Sequence, residues 1–370
     1  MKAFIQQKNT QKNLTMNATA VGSLPHDNKD KALELVFDTF SDFPFWPQLS
    51  NCNKNDDMIL QFVESIPGVS FSEEKKKWIF DAHGDKFYED LENFFIDYES
   101  IIAGDEELLE KYAITKEFSV AKDDFFEKIK KTTPSFVKAQ VTGPFTWGTM
   151  LVDTEGKCAF YDDTLREIIV RALAMKALWQ IKKFKELSPE STPVIFLDEP
   201  SMSQYGTSAF ITVKREDIIE AINQIATVLQ EKGALVGVHC CGKTDWSMII
   251  DSGVDIINFD GYYFGESLAL YAKQVQEFLK KGGYIAWGIV PTLDKDALET
   301  STLESLLEIF ENSKQHLINK KTDEKLLLRQ SFITPSCGAG SLSVPDAEKA
   351  MKLCAQIAVT LKEKYKKELE

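Results

Sequence analysis

Short β-branched runs alternate with longer amphipathic patterns along most of the chain, and this alternation constrains the fold more than any other feature. Strand-like runs fall at ATAVGS (18–23), PFWPQL (44–49), FVKAQVTG (136–143), PVIFLDE (193–199), ALVGVHC (234–240), VDIINFD (254–260), YIAWGIV (284–290) and SFITPSC (331–337). Between most of them lie helical patterns. KALELVFDTF (31–40), DDTLREIIVRALAMKALWQIKKF (162–184), EDIIEAINQIATVLQEKG (216–233) and ESLALYAKQVQEFLKKGG (266–283) carry apolar residues at i, i+3, i+4 spacing. Glycines at 233 and 282–283 are placed to stop helices. Eight strands alternating with helices predict an α/β protein built as a single closed (β/α)8 TIM barrel. An open doubly wound sheet is the alternative, and no GxGxxG follows the first strand to support it.

The expected organisation is a disordered tail over 1–15 and a barrel over 16–370, with an insertion at 66–130 after the second strand. The insertion is expected to hold a hairpin and helices, its segment 69–90 turning near HGD. Charge excludes one function class: the formal net charge is −14 and no basic block offers a face for phosphates, so no nucleic-acid partner is expected. The polar start lacks the apolar core of a signal peptide, and no apolar run approaches the roughly 18 residues of a membrane span. Six scattered cysteines do not form a disulfide framework. A reducing cytoplasm with free or metal-bound thiols is the expected setting.

Chemically capable residues recur at the C-terminal ends of the expected strands, where barrels of this type carry their sites. They are Ser23 and His26, Thr142, Asp198 and Glu199, His239 with Cys240 and Cys241, Asp260, and Cys337. Side chains alternate along an extended segment, so His239 and Cys241 point one way and Cys240 the other. Cys337 adds a second thiolate at the end of the last strand. Imidazole and thiolates are ligands that zinc favours, and three protein ligands with an open position make a catalytic centre. Asp260 is a candidate fourth ligand, or a carboxylate that orients His239 from behind. A cysteine in a strand also serves as a small hydrophobe, the role assigned to Cys52, Cys158 and Cys354. Asp198 and Glu199 face opposite ways; one is a candidate for a substrate amine, and a carboxylate here can instead cap a helix. AVGSLPH (20–26) offers backbone N–H groups and Ser23 to a carboxylate, or is a tight turn.

In their order, AVGSLP, VTGPFTW, FLDEP, VHCCG and ITPSCG resemble the catalytic barrel of cobalamin-independent methionine synthase, within a superfamily that includes uroporphyrinogen decarboxylase. The resemblance covers about residues 17 to 345. It implies zinc on His239, Cys241 and Cys337, with Asp260 where the family usually has glutamate. It also implies homocysteine held through Gly22, Ser23 and Asp198. Two departures bear on function. A chain of this length has no room for the second barrel that helps those synthases bind folate, so a methyl-corrinoid protein joins methyl-folate as an expected donor. The four arginines are 166, 171, 215 and 329, so PFWPQL lacks the arginines that porphyrinogen decarboxylases use.

The function expected is zinc-dependent transfer of a methyl group to a small-molecule thiol, homocysteine first, giving methionine. His26 is a candidate proton-handling group. A thiol-sulfonate such as coenzyme M is the alternative acceptor, and a zinc- or corrinoid-binding protein without turnover is the non-enzymatic alternative.

Overall fold

The computed structural model describes residues 14–369. Two strands, β1 (Val69–Ser72) and β2 (Lys77–Phe80), form an antiparallel hairpin. Six more make one parallel sheet in chain order: β3 (Phe136–Thr142), β4 (Thr192–Asp198), β5 (Leu235–Cys240), β6 (Ile256–Asp260), β7 (Tyr284–Val290) and β8 (Ser331–Pro335).

The expected closed eight-stranded barrel does not form. The runs at 18–23 and 44–49 contribute isolated parallel bridges, Ala18 to Ile333, Ser23 to Gln48 and Phe45 to Lys138, and not ladders. Pro44 and Pro47 explain the second case, because each lacks the N–H a ladder needs. What remains are a few backbone hydrogen bonds at each edge of the sheet, among them Trp46 N–H donating to the Lys138 carbonyl at 2.9 Å and Ile333 N–H to that of Asn17 at 2.9 Å. Of the tail expected over 1–15, residues 1–13 lie outside the described residues, while Leu14 and Thr15 are buried.

The helices follow from local chemistry. In the longest, Asp163–Leu187, the Asp162 carboxylate accepts from Leu165 N–H at 2.9 Å, satisfying one of the free donors of the first turn. Its apolar residues bury against the sheet, and it ends at Ser188, before a proline that cannot continue it. The helix Arg215–Glu231 is followed by Gly233 at φ 76°, a conformation glycine adopts without a Cβ penalty. No helix among the described residues is long and apolar enough to cross a membrane.

The hairpin turns at 73–76, not at HGD. The charged tetrapeptide EEKK makes the reversal, with Lys76 at φ 49°. Gly84 instead precedes the helix Asp85–Ala103.

A separate apolar cluster of Phe136, Val194, Ile256, Ala286 and Phe332, with Leu14 and Phe43, fills the N-terminal end of the sheet's inner face. Alternation continues that face on β3 as Lys138, Gln140 and Thr142, and on β4 as Phe196 and Asp198. The inner face thus passes from apolar to polar toward the strand C-termini, where the chemistry lies.

Candidate metal and thiol site

Register places three strand ends side by side. Asp198 pairs with His239, and His239 pairs with Asn258. Cys241 lies one residue beyond β5, and Cys337 lies two beyond β8. The donor atoms of His239, Cys241 and Cys337 all come within 4.8 Å of one another, and no other such group of three occurs among the described residues. This group can hold a metal ion.

The donor chemistry fits. His239 is buried, and its Nε2 has no hydrogen-bond partner among the described residues. Nδ1 lies 2.6 Å from Asn258 Oδ1. The hydrogen bond from Cys337, with the nearby charge of His239, holds the Cys241 thiol well below its ordinary range. The same contact, reinforced by burial, pushes Cys337 up. Burial would lower His239, but the Cys241 thiolate raises it overall. The pair of sulfurs therefore shares one proton, which a cation would displace on binding both. Cys240 is fully buried on the opposite face, its thiol donating to the Gly242 carbonyl at 3.6 Å.

His239, Cys241 and Cys337 line a cavity of about 340 Å3 with Ser23, Asp198, Gln48, Asp56, Val21, Met58 and Leu293. Among the described residues, no lysine or arginine is in its wall. Asp198 is 5% exposed and its Oδ1 has no hydrogen-bond partner among the described residues. Burial raises its carboxyl, opposed by the charge of Lys138. Lys138 is itself fully buried; its ammonium donates to the Val21 carbonyl and to Gln140 Oε1.

Glu199 faces away, as alternation requires. Its carboxylate accepts from Phe145 N–H at 2.9 Å and from Thr146 N–H at 2.7 Å, capping the helix Pro144–Met150. A Cβ at Gly143 would collide with that carboxylate, which accounts for the glycine in VTGP. Thr142 is on the inner face but outside the cavity wall, its hydroxyl donating to the Met58 carbonyl.

Asp260 is not among the gathered ligands. Its Oδ1 accepts from Tyr263 N–H at 2.9 Å and caps the short helix Gly261–Phe264, and burial raises its carboxyl to about 6. The partner of the His239 ring is Asn258. Gly22 brings the backbone so close to Gln140 that a Cβ would meet its amide at 2.9 Å. His26 is buried but outside the cavity wall; its Nε2 is 4.0 Å from a Glu348 carboxylate oxygen, and burial lowers it. Lys138 and Asn258 escaped the sequence reading. Their signal was present: Lys138 with Gln140, and Asn258 with Asp260, are polar residues at period two within apolar strands.

Fold and site together define a parallel α/β protein whose strand ends carry a His-Cys-Cys group able to hold a metal ion beside a carboxylate-lined cavity. No family model matches the chain, and no curated protein does. Among solved structures, that of the tandem GH20 catalytic modules of a pneumococcal exo-β-D-N-acetylglucosaminidase is similar over 93% of this chain and 85% of its own. The identity is 12% and the TM-score 0.44, too slight a likeness to bear on activity.

Proposed function

We propose that the protein is a zinc-dependent S-methyltransferase that methylates a small amino-bearing thiol, homocysteine first. One observation carries this reading. The unpartnered Nε2 of His239 and the unpartnered Oδ1 of Asp198 belong to the wall of one cavity, beside two cysteine sulfurs. A ligand with a sulfur at one end and an ammonium at the other answers both. Zinc on His239, Cys241 and Cys337 would take the acceptor sulfur as a thiolate and, with two protein thiolates reducing its charge, leave that sulfur nucleophilic.

The chain's residues do the rest. Asp198 receives the ammonium group; a carboxylate in this setting is costly until a cation meets it. Lys138, behind it, lowers the cost of keeping Asp198 ionised. Ser23 Oγ accepts from Gly340 N–H at 3.3 Å, which leaves its own proton to donate to the ligand carboxylate. Val21, Met58 and Leu293 supply apolar wall for the methylene chain. The cavity suits an amino-acid-sized acceptor, so the donor, a methyl-corrinoid protein or a methyl-folate, approaches from its open side.

The test is zinc quantification followed by thiol titration. About one zinc per chain, with homocysteine bound more tightly than 3-mercaptopropionate or coenzyme M, supports the reading. Preference for coenzyme M removes the role of Asp198. Zinc without thiol binding leaves a metal-holding protein and no transferase.

A further inference from the structure

The His239 ring is held from behind by an amide whose orientation is fixed. Asn258 Nδ2 donates to the Ala286 carbonyl at 3.0 Å and contacts Thr334 Oγ1 at 2.8 Å. The carbonyl of Ala286 can only accept. Turning the amide over would set two carbonyl oxygens against each other, so Nδ2 must face β7 and Oδ1 must face the ring. An amide oxygen only accepts as well. The nitrogen 2.6 Å from it, Nδ1 of His239, must therefore carry a proton. Of the two ring nitrogens, Nε2 alone can offer a lone pair to a metal, and it is the one without a partner among the described residues.

Asn258, Ala286 and Thr334 are fully buried, so water does not compete for these bonds. The clamp also runs across the sheet. It joins β5, which carries His239, to β6, β7 and β8, and β8 leads within three residues of Thr334 to Cys337.

We infer that Asn258 is the positioning residue of the metal centre: anchored by Ala286 and Thr334, it fixes His239 as the Nδ1–H tautomer, so that Nε2 is the ligating nitrogen. This rests on the reading that His239, Cys241 and Cys337 hold a metal. It adds a reason for the neutral partner. An amide orients the ring without adding a negative charge to a centre that already has two thiolates.

The test has two arms. Nitrogen NMR of the imidazole in metal-free wild-type protein reads the Nδ1–H hydrogen bond whether or not metal binds, which separates a failure here from a failure of the metal reading. A slowly exchanging, hydrogen-bonded Nδ1–H is expected, and in zinc-loaded protein the metal-shifted nitrogen is expected to be Nε2. Coordination through Nδ1, or a freely exchanging Nδ1–H, overturns the inference. In the second arm, chelator competition measures zinc affinity. Asn258→Leu removes the acceptor and is expected to lose about tenfold to hundredfold in affinity. An Asn258→Leu protein with wild-type zinc affinity and ring pattern also overturns it. A variant that does not fold leaves the wild-type spectra to decide.

Discussion

The hydroxyl of Ser23 accepts a hydrogen bond from Gly340 N–H at 3.3 Å, across 317 positions of sequence, and fills the space that a Cβ on Gly338 would need. The Ser23 carbonyl also accepts from Ala339 N–H at 3.0 Å. The first glycine-bearing motif of the chain is thereby seated on the loop that delivers Cys337.

Gly338→Ala is accordingly expected to push Ser23 aside. Overpacking of this kind costs about 1–3 kcal/mol. Thermal unfolding should register the loss, and thiol titration should show weaker binding of carboxylate-bearing thiols than in wild type. Unchanged thiol affinity would remove Ser23 from the site.

The three adjacent or gathered cysteines should separate in a zinc assay. Cys241→Ser and Cys337→Ser are expected to lower zinc content, and Cys240→Ser to leave it, because the Cys240 thiol lies on the other face. Equal loss in all three variants would refute the alternation on which the site is built.

Asp198→Asn is expected to weaken homocysteine while leaving zinc in place. A lost charge-assisted hydrogen bond costs about 1.5–3 kcal/mol, or about tenfold to hundredfold in affinity. Titration with 3-mercaptopropionate, which has no amine, should show little change. Equal weakening of both thiols would mean that Asp198 does not hold an amine.

Much of the fold was legible because its signals were local. The six sheet strands and the helices between them stood out by period and by the glycines and prolines at their ends. The failure to close was not legible. PFWPQL has strand-like composition, yet whether its two prolines can take part in a ladder depends on which donors the neighbouring strand demands. The ligand triple could be anticipated from alternation at strand ends. Asn258 could not be ranked above Asp260, because strand register decides which of the two stands opposite His239, and register is a property of two strands. Lys138 was hidden for a related reason: a lysine in a strand reads as surface until the sheet curves around it.

Asp56 gives the stability a pH signature. Burial raises its carboxyl from an ordinary 3.8 to about 7, although Gln61 Nε2 and Val120 N–H both donate to it. A carboxyl raised in the folded state stabilises fully below its unfolded pKa and loses that contribution as pH rises through its folded value. Urea unfolding between pH 4 and about 7 should therefore show a decline in wild type that is shallower in Asp56→Asn. Parallel pH profiles would contradict the assignment.

The central claim is a three-ligand centre with one position open to a substrate sulfur. X-ray absorption of the zinc-loaded protein, before and after homocysteine, tests it most directly. The account predicts two sulfurs, one imidazole nitrogen and one light atom in the free protein, then three sulfurs and one nitrogen with the thiol. A full set of four protein ligands that does not change on adding homocysteine would contradict it.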